Sequence, residues 1–209
     1  MREQDVVERF ELRETDDGHS IVRVRQAWSL GTTDYDAVYD ADGAPLRVWR
    51  RTTMPDASGP IGHVDVRIYD LASEGGVRVA RRGPTGAREG VLIRGARPRV
   101  VIAPGRGGLT PWIQRAHLAV GERVRELALD VREPLELLRE VTLIREEDRD
   151  MEDLGRVRVY TIYGREPVFT DDDDVVVGDM LGMRTAEVVE GPVPDPMPDR
   201  GPFDPRAPL

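Results

Sequence analysis

The chain has 209 residues, a net charge of −9 and a sequence pI of about 5.0. Its 30 basic side chains are all Arg, and it contains no Cys and only three His. These absences exclude a thiolate nucleophile, a Schiff-base lysine, a Cys-based zinc site and any disulfide. The acidic balance also disfavours contact with a phosphate backbone, so we expect no nucleic-acid partner.

The first quarter of the chain has the period-two alternation that half-exposed strands require. Apolar and charged residues alternate over 6–14 and 20–30, and Asp16-Asp17-Gly18 between them is a typical hairpin turn. The same pattern recurs over 34–40 and 45–52, on either side of a second Asp-Gly turn. We therefore predict two successive hairpins.

A Pro, Ser and Gly-containing stretch over 53–60 predicts a loop. A strand over 62–70 follows, and its alternation predicts that Val64, Val66 and Ile68 point inward. Shorter strands are predicted at 77–81, 90–94 and 99–103. Six to eight strands at this spacing indicate an antiparallel meander.

The pattern changes to helical spacing after a flexible Pro-Gly segment. Thr110 is the predicted N-cap of one short helix, and Pro111 suits its first turn. The predicted apolar stripe consists of Trp112, Ile113 and Ala116.

Strand character returns over 122–131 and 156–163, and the segment 179–190 is predicted to finish the sheet. Residues 133–145 fit either a helix, through Leu135, Leu138 and Val141, or a strand, and we favour a strand over 139–146. The predicted fold class is therefore mainly β, with a curved antiparallel sheet or half-barrel and one short helix packed on it. A single domain over 1–190 accounts for all of these elements.

The segment 191–209 differs in kind, because it contains seven Pro and little that could pack. This composition predicts a Pro-rich C-terminal extension, polyproline-like or disordered, that is available to a protein partner.

No run of about 18 apolar residues occurs, so no transmembrane segment is expected. The residues after Met1 do not have the pattern of a signal peptide. A cytoplasmic location fits this sequence, and a periplasmic or envelope location fits if an export signal has been removed.

One segment resembles an anion-binding loop. Gly105, Arg106, Gly107 and Gly108 precede the predicted helix, where backbone N–H groups and a helix N-terminus favour an anion. The alternative is a hinge, since no Lys-containing phosphate loop or βαβ context surrounds the glycines. The run Asp171 to Asp174 has the oxygen ligands that Ca²⁺ prefers, but a solvated acidic turn is the simpler interpretation.

The residues of hydrolytic catalysis have no recognisable spacing. None of Ser20, Ser29, Ser58 and Ser73 lies in a G-x-S-x-G elbow, and no spacing supports a triad with any of the three His. His63 fits an ordinary position on a strand, and His117 fits one at a helix end. A hydrolase remains a third hypothesis, but we predict no catalytic residue, metal or cofactor, and consider an enzyme the weaker interpretation.

Three short motifs carry a family resemblance. They are Asp42-Gly43-Ala44-Pro45-Leu46, Leu118-Ala119-Val120-Gly121-Glu122 and Gly164-Arg165-Glu166. In this order, around a Pro-Gly break and a short helix, they resemble DUF3108-type and LolA/LolB-like bacterial envelope domains. The resemblance implies one strongly curved antiparallel sheet around a helix, an envelope location and an apolar or lipid-like ligand. It implies no catalytic residue.

Two functional hypotheses follow. In the first, the concave sheet face binds an apolar or lipid-like ligand or partner through a set of large hydrophobic residues: Val22, Val24, Trp28, Val64, Val66, Ile68 and Trp112. In the second, the domain has a filled core and is a structural or interaction protein, tethered or docked through 191–209.

Overall fold

The computed structural model describes residues 7–15, 18–28, 31–56, 59–72, 74–82, 88–103, 105–132, 137–152 and 154–179. The predicted extension 191–209, and all of the predicted segment 179–190 except Asp179, lie outside these residues.

The first sheet is an antiparallel meander of seven strands in which every strand pairs with its neighbours in sequence. Its strands are β1 (Val7–Glu14), β2 (Ser20–Trp28), β3 (Gly31–Tyr39), β4 (Pro45–Asp56), β5 (Gly59–Asp70), β6 (Gly76–Arg82) and β7 (Arg88–Arg94). The predicted loop over 53–60 is wrong, because the β4–β5 ladder continues through Met54 opposite His63. A register shift between Met54 and Asp56 accommodates Pro55, which has no N–H to donate to a ladder.

The second sheet curls into a half-barrel. Its hydrogen-bonded order is β14-β13-β12-β10-β9-β8, and β11 pairs with β12 beside this path. The pairs are antiparallel except for β8 and β9, which run parallel. The strands are β8 (Val100–Ile102), β9 (Arg123–Asp130), β10 (Leu137–Arg145), β11 (Arg149–Met151), β12 (Gly155–Ile162), β13 (Glu166–Thr170) and β14 (Val176–Asp179).

One helix, α1 (Thr110–Ala116), follows a 3₁₀ turn at Gly107–Leu109. Thr110 is its first residue rather than its N-cap, which is Leu109. The Thr110 hydroxyl instead accepts a hydrogen bond from the Val176 N–H at 3.2 Å, so it joins the helix to β14.

Two hydrophobic cores lie on opposite faces of the second sheet. Val101 and Ala103 belong to the inter-sheet core, which packs against the first sheet. Val100 and Ile102, which alternate with them, belong to the helix core, which contains Trp112 and Ile113 of α1. A strand buried on both faces gives a continuous apolar run, as in Val100 to Ala103.

The predicted fold class is thus confirmed: the chain is mainly β, with antiparallel sheets, a half-barrel and one short helix packed on it. The resemblance implied one sheet around the helix, whereas the structure has two sheets with the helix on the second.

Candidate functional site

The candidate site lies on the inner face of the first sheet, which we define as the face that contacts the second sheet. Val22, Val24, Tyr35, Val48 and Tyr69 of this face are buried in the inter-sheet core. Because side chains alternate along a strand, the inner face continues through every second residue of β2 to β6. Beyond the core it becomes polar.

Three arginines lie side by side on this face. The register places Arg50 of β4 opposite Arg67 of β5, and Arg67 opposite Arg81 of β6. We call Arg50, Arg67 and Arg81 the arginine row. Tyr35 continues it on β3 and Glu89 continues it on β7. The row marks the border between the apolar and polar parts of the inner face.

Two members of the row are deeply buried. Arg50 is 1% exposed and Arg67 is 9% exposed. The Arg50 guanidinium donates a hydrogen bond to the Val131 carbonyl of the second sheet, and it lies 3.6 Å from an Asp65 carboxylate oxygen. Arg67 Nε donates to the same Asp65 oxygen at 2.5 Å. The Asp65 carboxylate therefore forms ion pairs with two guanidinium groups.

The next row outward is polar and largely buried. It runs across Gln26, Thr33, Thr52 and Asp65 in register. Thr33 and Thr52 are 5% and 6% exposed, and their hydroxyl oxygens are 3.4 Å apart. At the end of β4, Met54 is a large apolar side chain with 38% of its surface exposed.

Two neutral, buried tyrosines belong to β3: Tyr35 is in register with the arginine row, and Tyr39 lies farther along the apolar part of the inner face. Burial raises the pKa of Tyr39 to about 12, against the opposing effect of the hydrogen bond from Tyr35 and the charge of Arg115. Burial also raises the pKa of Tyr35, reinforced by Tyr39. The two hydroxyls are 3.4 Å apart, and Tyr39 donates to the Gly108 carbonyl at the same distance. Neither phenol supplies a negative charge to the arginines near neutral pH.

The seven residues predicted to line one concave face do not share a face. Val22 and Val24 lie in the inter-sheet core and Trp112 lies in the helix core, on the far side of the second sheet. Trp28 belongs to β2, but its side chain is outside the described part of the structure.

The inward assignment of Val64, Val66 and Ile68 is wrong. These residues alternate with Asp65, Arg67 and Tyr69, and Tyr69 is 0% exposed in the inter-sheet core. Their three side chains are therefore on the opposite, outer face of β5, where they are only partly buried. Because side chains alternate along a strand, an assignment that is wrong by one residue places every side chain of the strand on the wrong face.

The predicted anion loop is filled by the protein itself. The Glu8 carboxylate accepts hydrogen bonds from the Gly107 N–H at 2.7 Å and the Arg106 N–H at 3.0 Å. Burial raises the pKa of Glu8 above its ordinary value, while the two amide hydrogen bonds lower it. The amides therefore act as an anion cradle for a side chain of β1, and an external anion at Gly105 to Gly108 stays a prediction.

The glycines of this loop also permit close packing. A Cβ on Gly107 would lie 2.5 Å from the Phe10 ring, and one on Gly105 would lie 2.6 Å from a Val24 methyl group. A Cβ on Gly108 would make only ordinary contacts, at 3.5 Å from Tyr35. Two of the glycines are thus explained by the approach of the loop to β1 and β2.

Arg106 begins a chain of charges across the second sheet. Its guanidinium donates to Asp179 and to Glu166, each at 2.9 Å. Arg132 joins Glu166 to Asp130, and Arg139 also binds Asp130. We call these residues, together with Glu8, the Arg106 network: Glu8, Arg106, Asp130, Arg132, Arg139, Glu166 and Asp179. Cations and carboxylates alternate along it.

Three carboxylates of the acidic run, those of Asp171, Asp172 and Asp174, lie in different environments. Asp171 accepts the N–H groups of Asp173 and Val175, which closes a turn. Asp172 is 96% exposed, whereas Asp174 is buried and accepts a hydrogen bond from the Tyr160 hydroxyl at 2.8 Å. The run is thus a turn with one inward carboxylate, which an ion pair with Arg158 balances.

His117 and His19 occupy ordinary structural positions. His117 is exposed and ends α1 in the left-handed conformation, with φ of 41°. The His19 carbonyl accepts hydrogen bonds from the N–H and hydroxyl of Thr15. The side chain of His63 is outside the described part of the structure.

Comparisons with known proteins identify the fold and no family. No family model matches the chain, and no curated protein matches it. A DUF1089 family protein from Pseudomonas aeruginosa superposes with a TM-score of 0.53 at 18% identity, over 85% of this chain and 91% of that chain. A protein from Brucella abortus, titled as β-barrel-like and of the domain of unknown function DUF1849, gives a TM-score of 0.44 at 12% identity, over 81% of this chain and 73% of that chain. The chain thus shares its fold with a solved bacterial protein, and neither neighbour is of the DUF3108 or LolA type.

No helix within the described ranges has both the length and the apolar character needed to cross a membrane.

The arginine row is the feature that sequence reasoning missed. One signal was present: Arg50 lies two residues after Val48, on the same side of a predicted strand. Its alignment with Arg67 and Arg81 depends on the register of three strands, which alternation alone does not provide.

Proposed function

We propose that this chain is a non-enzymatic binding domain for an apolar or lipid-like ligand or partner. The ligand lies on the inner face of the first sheet, at the end beyond the inter-sheet core. The observation that carries this proposal is the change along one face from packed hydrophobic residues to buried polar and cationic ones.

The length of the central strands supports this placement. β4 and β5 have 12 residues each, but their inter-sheet core residues are Val48 and Tyr69, near one end of the pair. Toward the other end the inner face presents the arginine row, two buried Thr hydroxyls and the exposed Met54 side chain. Charged groups are expensive to bury, so their concentration on one face favours a role in binding over a role in stability.

The resemblance to DUF3108-type and LolA/LolB-like domains adds to the proposal. It supports an apolar ligand and a periplasmic or envelope location in a bacterium. Of the predicted ligand residues, Trp28 is at this end of the sheet, since it pairs with Gly31 of β3.

Native mass spectrometry of the purified protein, followed by denaturing organic extraction, tests the proposal. We expect a co-purifying apolar mass and saturable uptake of a fluorescent C16 amphiphile. Met54→Glu places a charge at the proposed site and should weaken uptake. Val120→Glu is the control, because Val120 is 57% exposed in the turn before β9. A ligand-free protein without amphiphile uptake would overturn the proposal.

A second function is favoured by the filled inter-sheet core, whose side chains are almost fully buried. In it the chain is a structural or interaction domain that docks through 191–209 and binds no small molecule. Truncation after Glu190 separates the two proposals. Loss of a partner on truncation, in a protein that takes up no amphiphile, supports the second; amphiphile uptake that survives truncation supports the first.

A further inference from the structure

We infer that β7 is an interface between two copies of this chain, which pair edge to edge in the antiparallel register centred on Leu92. This inference goes beyond the proposed function, because it concerns the free edge of the first sheet and needs no ligand. The contact joins the first sheets of two protomers into one continuous sheet.

The first observation is an open strand edge. β7 ends the strand order of the first sheet, and within the described ranges it pairs only with β6. The Gly95 N–H donates to the Gly75 carbonyl at 3.3 Å, so the odd-numbered residues of β7 direct their backbone groups toward β6. Gly90, Leu92 and Arg94 alternate with them and direct their N–H and C=O groups outward. Such an edge is a template for another strand.

The second observation is apolar exposure on both faces of β7. Val91 is 53% exposed and Leu92 is 45% exposed, and adjacent residues of a strand point to opposite faces. Ile93 shares the inner face with Val91 and packs against the inter-sheet core. Because Val91 is exposed on the inner face, the second sheet leaves this part of β7 uncovered. An added strand would therefore meet apolar side chains on both sides of the sheet.

The other edge strand of the first sheet has a different character. The exposed side chains described for β1 are Arg9, Arg13 and Glu14, and all of them are charged. Charged side chains protect a strand edge from pairing with another chain, whereas exposed apolar side chains favour such pairing. The comparison assigns the contact to β7 and not to β1.

The sequence of β7 favours a second copy as the occupant of this edge. Two identical antiparallel strands are related by a two-fold axis, so one residue at the centre lies opposite its own copy. Only a centre at Leu92 places the apolar residues Val91, Leu92 and Ile93 opposite one another. In that register Leu92 faces its own copy, and Val91 faces the second copy's Ile93. The apolar run is thus complementary to itself.

The same register suits the backbone and the flanking cation. Arg94 lies opposite the second copy's Gly90, where an added Cβ would meet nothing within 4 Å, so there is room for the arginine side chain. Gly90, Leu92 and Arg94 are also the residues whose backbone groups point outward, so each can exchange two hydrogen bonds with the residue opposite it. The two-fold symmetry closes the assembly at two copies.

Analytical ultracentrifugation of the full chain from about 1 to 300 μM tests the inference. We expect the mass to rise with concentration from 23.4 kDa toward twice that value. Leu92→Lys brings two cations together at the two-fold axis and should weaken the dimer at least about tenfold. Val120→Lys is the control, because it adds the same charge at another exposed apolar residue, in the turn before β9, and should dimerise like the wild type.

Single cysteines test the register, since the wild-type chain contains none. Leu92→Cys places two thiols opposite each other and should give a disulfide-linked dimer on mild oxidation. Gly90→Cys is the matched control on the same strand. The two copies of this residue are four residues out of alignment, which is farther than the Cα separation of about 7 Å that a disulfide can span.

A chain that stays monomeric, or a Leu92→Lys variant that dimerises like the wild type, would overturn the inference. Equal cross-linking of the Leu92→Cys and Gly90→Cys variants would exclude the register. A mass that continues to grow beyond two copies would exclude the closed pair. Circular dichroism establishes that each variant folds, and the Leu92→Cys result decides the question if Leu92→Lys does not fold.

Discussion

Two groups of arginines in this protein are arranged differently relative to the sheets and to their neighbours. In the Arg106 network, three arginines alternate with four carboxylates, and hydrogen bonds join each cation to an acid. In the arginine row, three arginines lie directly opposite one another and Asp65 serves two of them. The same residue type thus forms an alternating network that spans two sheets in one region and a row on neighbouring strands of one sheet in the other.

The two groups also differ in the elements that they join. The Arg106 network joins β1, the loop before α1 and four strands or strand ends of the second sheet, so it stabilises the contact between the sheets. The arginine row lies within one sheet, and Arg50 also donates a hydrogen bond to the Val131 carbonyl, which follows β9. The Glu8 carboxylate occupies the glycine loop and so belongs to the Arg106 network.

Loss of Arg50 should have the largest effect on stability. Arg50→Ala removes a buried cation from the Val131 carbonyl and from Asp65, and we expect a loss of about 3 kcal/mol in the free energy of unfolding. Urea denaturation measures it. Arg156→Ala is the control, since Arg156 is 74% exposed beside Asp148 and should change stability by less than about 0.5 kcal/mol. Equal effects would show that the Arg50 contacts contribute little.

The glycine loop can be tested for packing separately from anion binding. Gly107→Ala brings a Cβ within 2.5 Å of the Phe10 ring, and we expect destabilisation of about 2 kcal/mol. Gly108→Ala makes ordinary contacts and keeps the same backbone amides, so it should be tolerated. Thermal denaturation compares the two. Similar melting temperatures would contradict the packing explanation.

Arg106 tests whether the network behaves as a unit. Arg106→Ala removes hydrogen bonds to Glu166 and Asp179, and we expect a loss of about 1.5 kcal/mol because the guanidinium is only partly buried. A double-mutant cycle with Asp179→Asn should give a combined effect smaller than the sum of the two single effects. Additive effects would mean that the two residues are not coupled.

Glu8 should contribute a small pH dependence. Its pKa in the folded protein is raised above 4.5, chiefly by burial. The folded state therefore binds a proton at pH values where the unfolded state does not, so this contribution to stability is present below pH 4.5 and is lost as the pH rises through the raised pKa.

Urea denaturation of the wild type and Glu8→Gln across this range measures the contribution. The stability of the wild type relative to the variant should increase as the pH falls from neutrality and then become constant. A relative stability that decreases on acidification would mean that the amide hydrogen bonds outweigh burial.

The fold could be predicted further than the site. Period-two alternation located most strands, including β10 over Leu137–Arg145, where helix and strand patterns overlapped. The stripe of Trp112 and Ile113 in α1 was also correct. Alternation failed at β5, because the hydrophobic residues Val64, Val66 and Ile68 occupy the outer face and the charged residues occupy the inner one. The usual expectation that hydrophobic residues face the core is reversed where a face holds a cationic row.

The sequence alone determined the strand-rich class, the meander, the position of the helix and the absence of thiol and lysine chemistry, because these depend on composition and on spacing between near neighbours. Only the tertiary structure decided that there are two sheets, that Glu8 enters the glycine loop and that three arginines align on the inner face. These features depend on strand register and on contacts between residues up to about a hundred positions apart, such as Glu8 with Gly107. Local spacing does not specify such long-range contacts, because they form only when all of the strands adopt the register that gives the whole fold its lowest free energy.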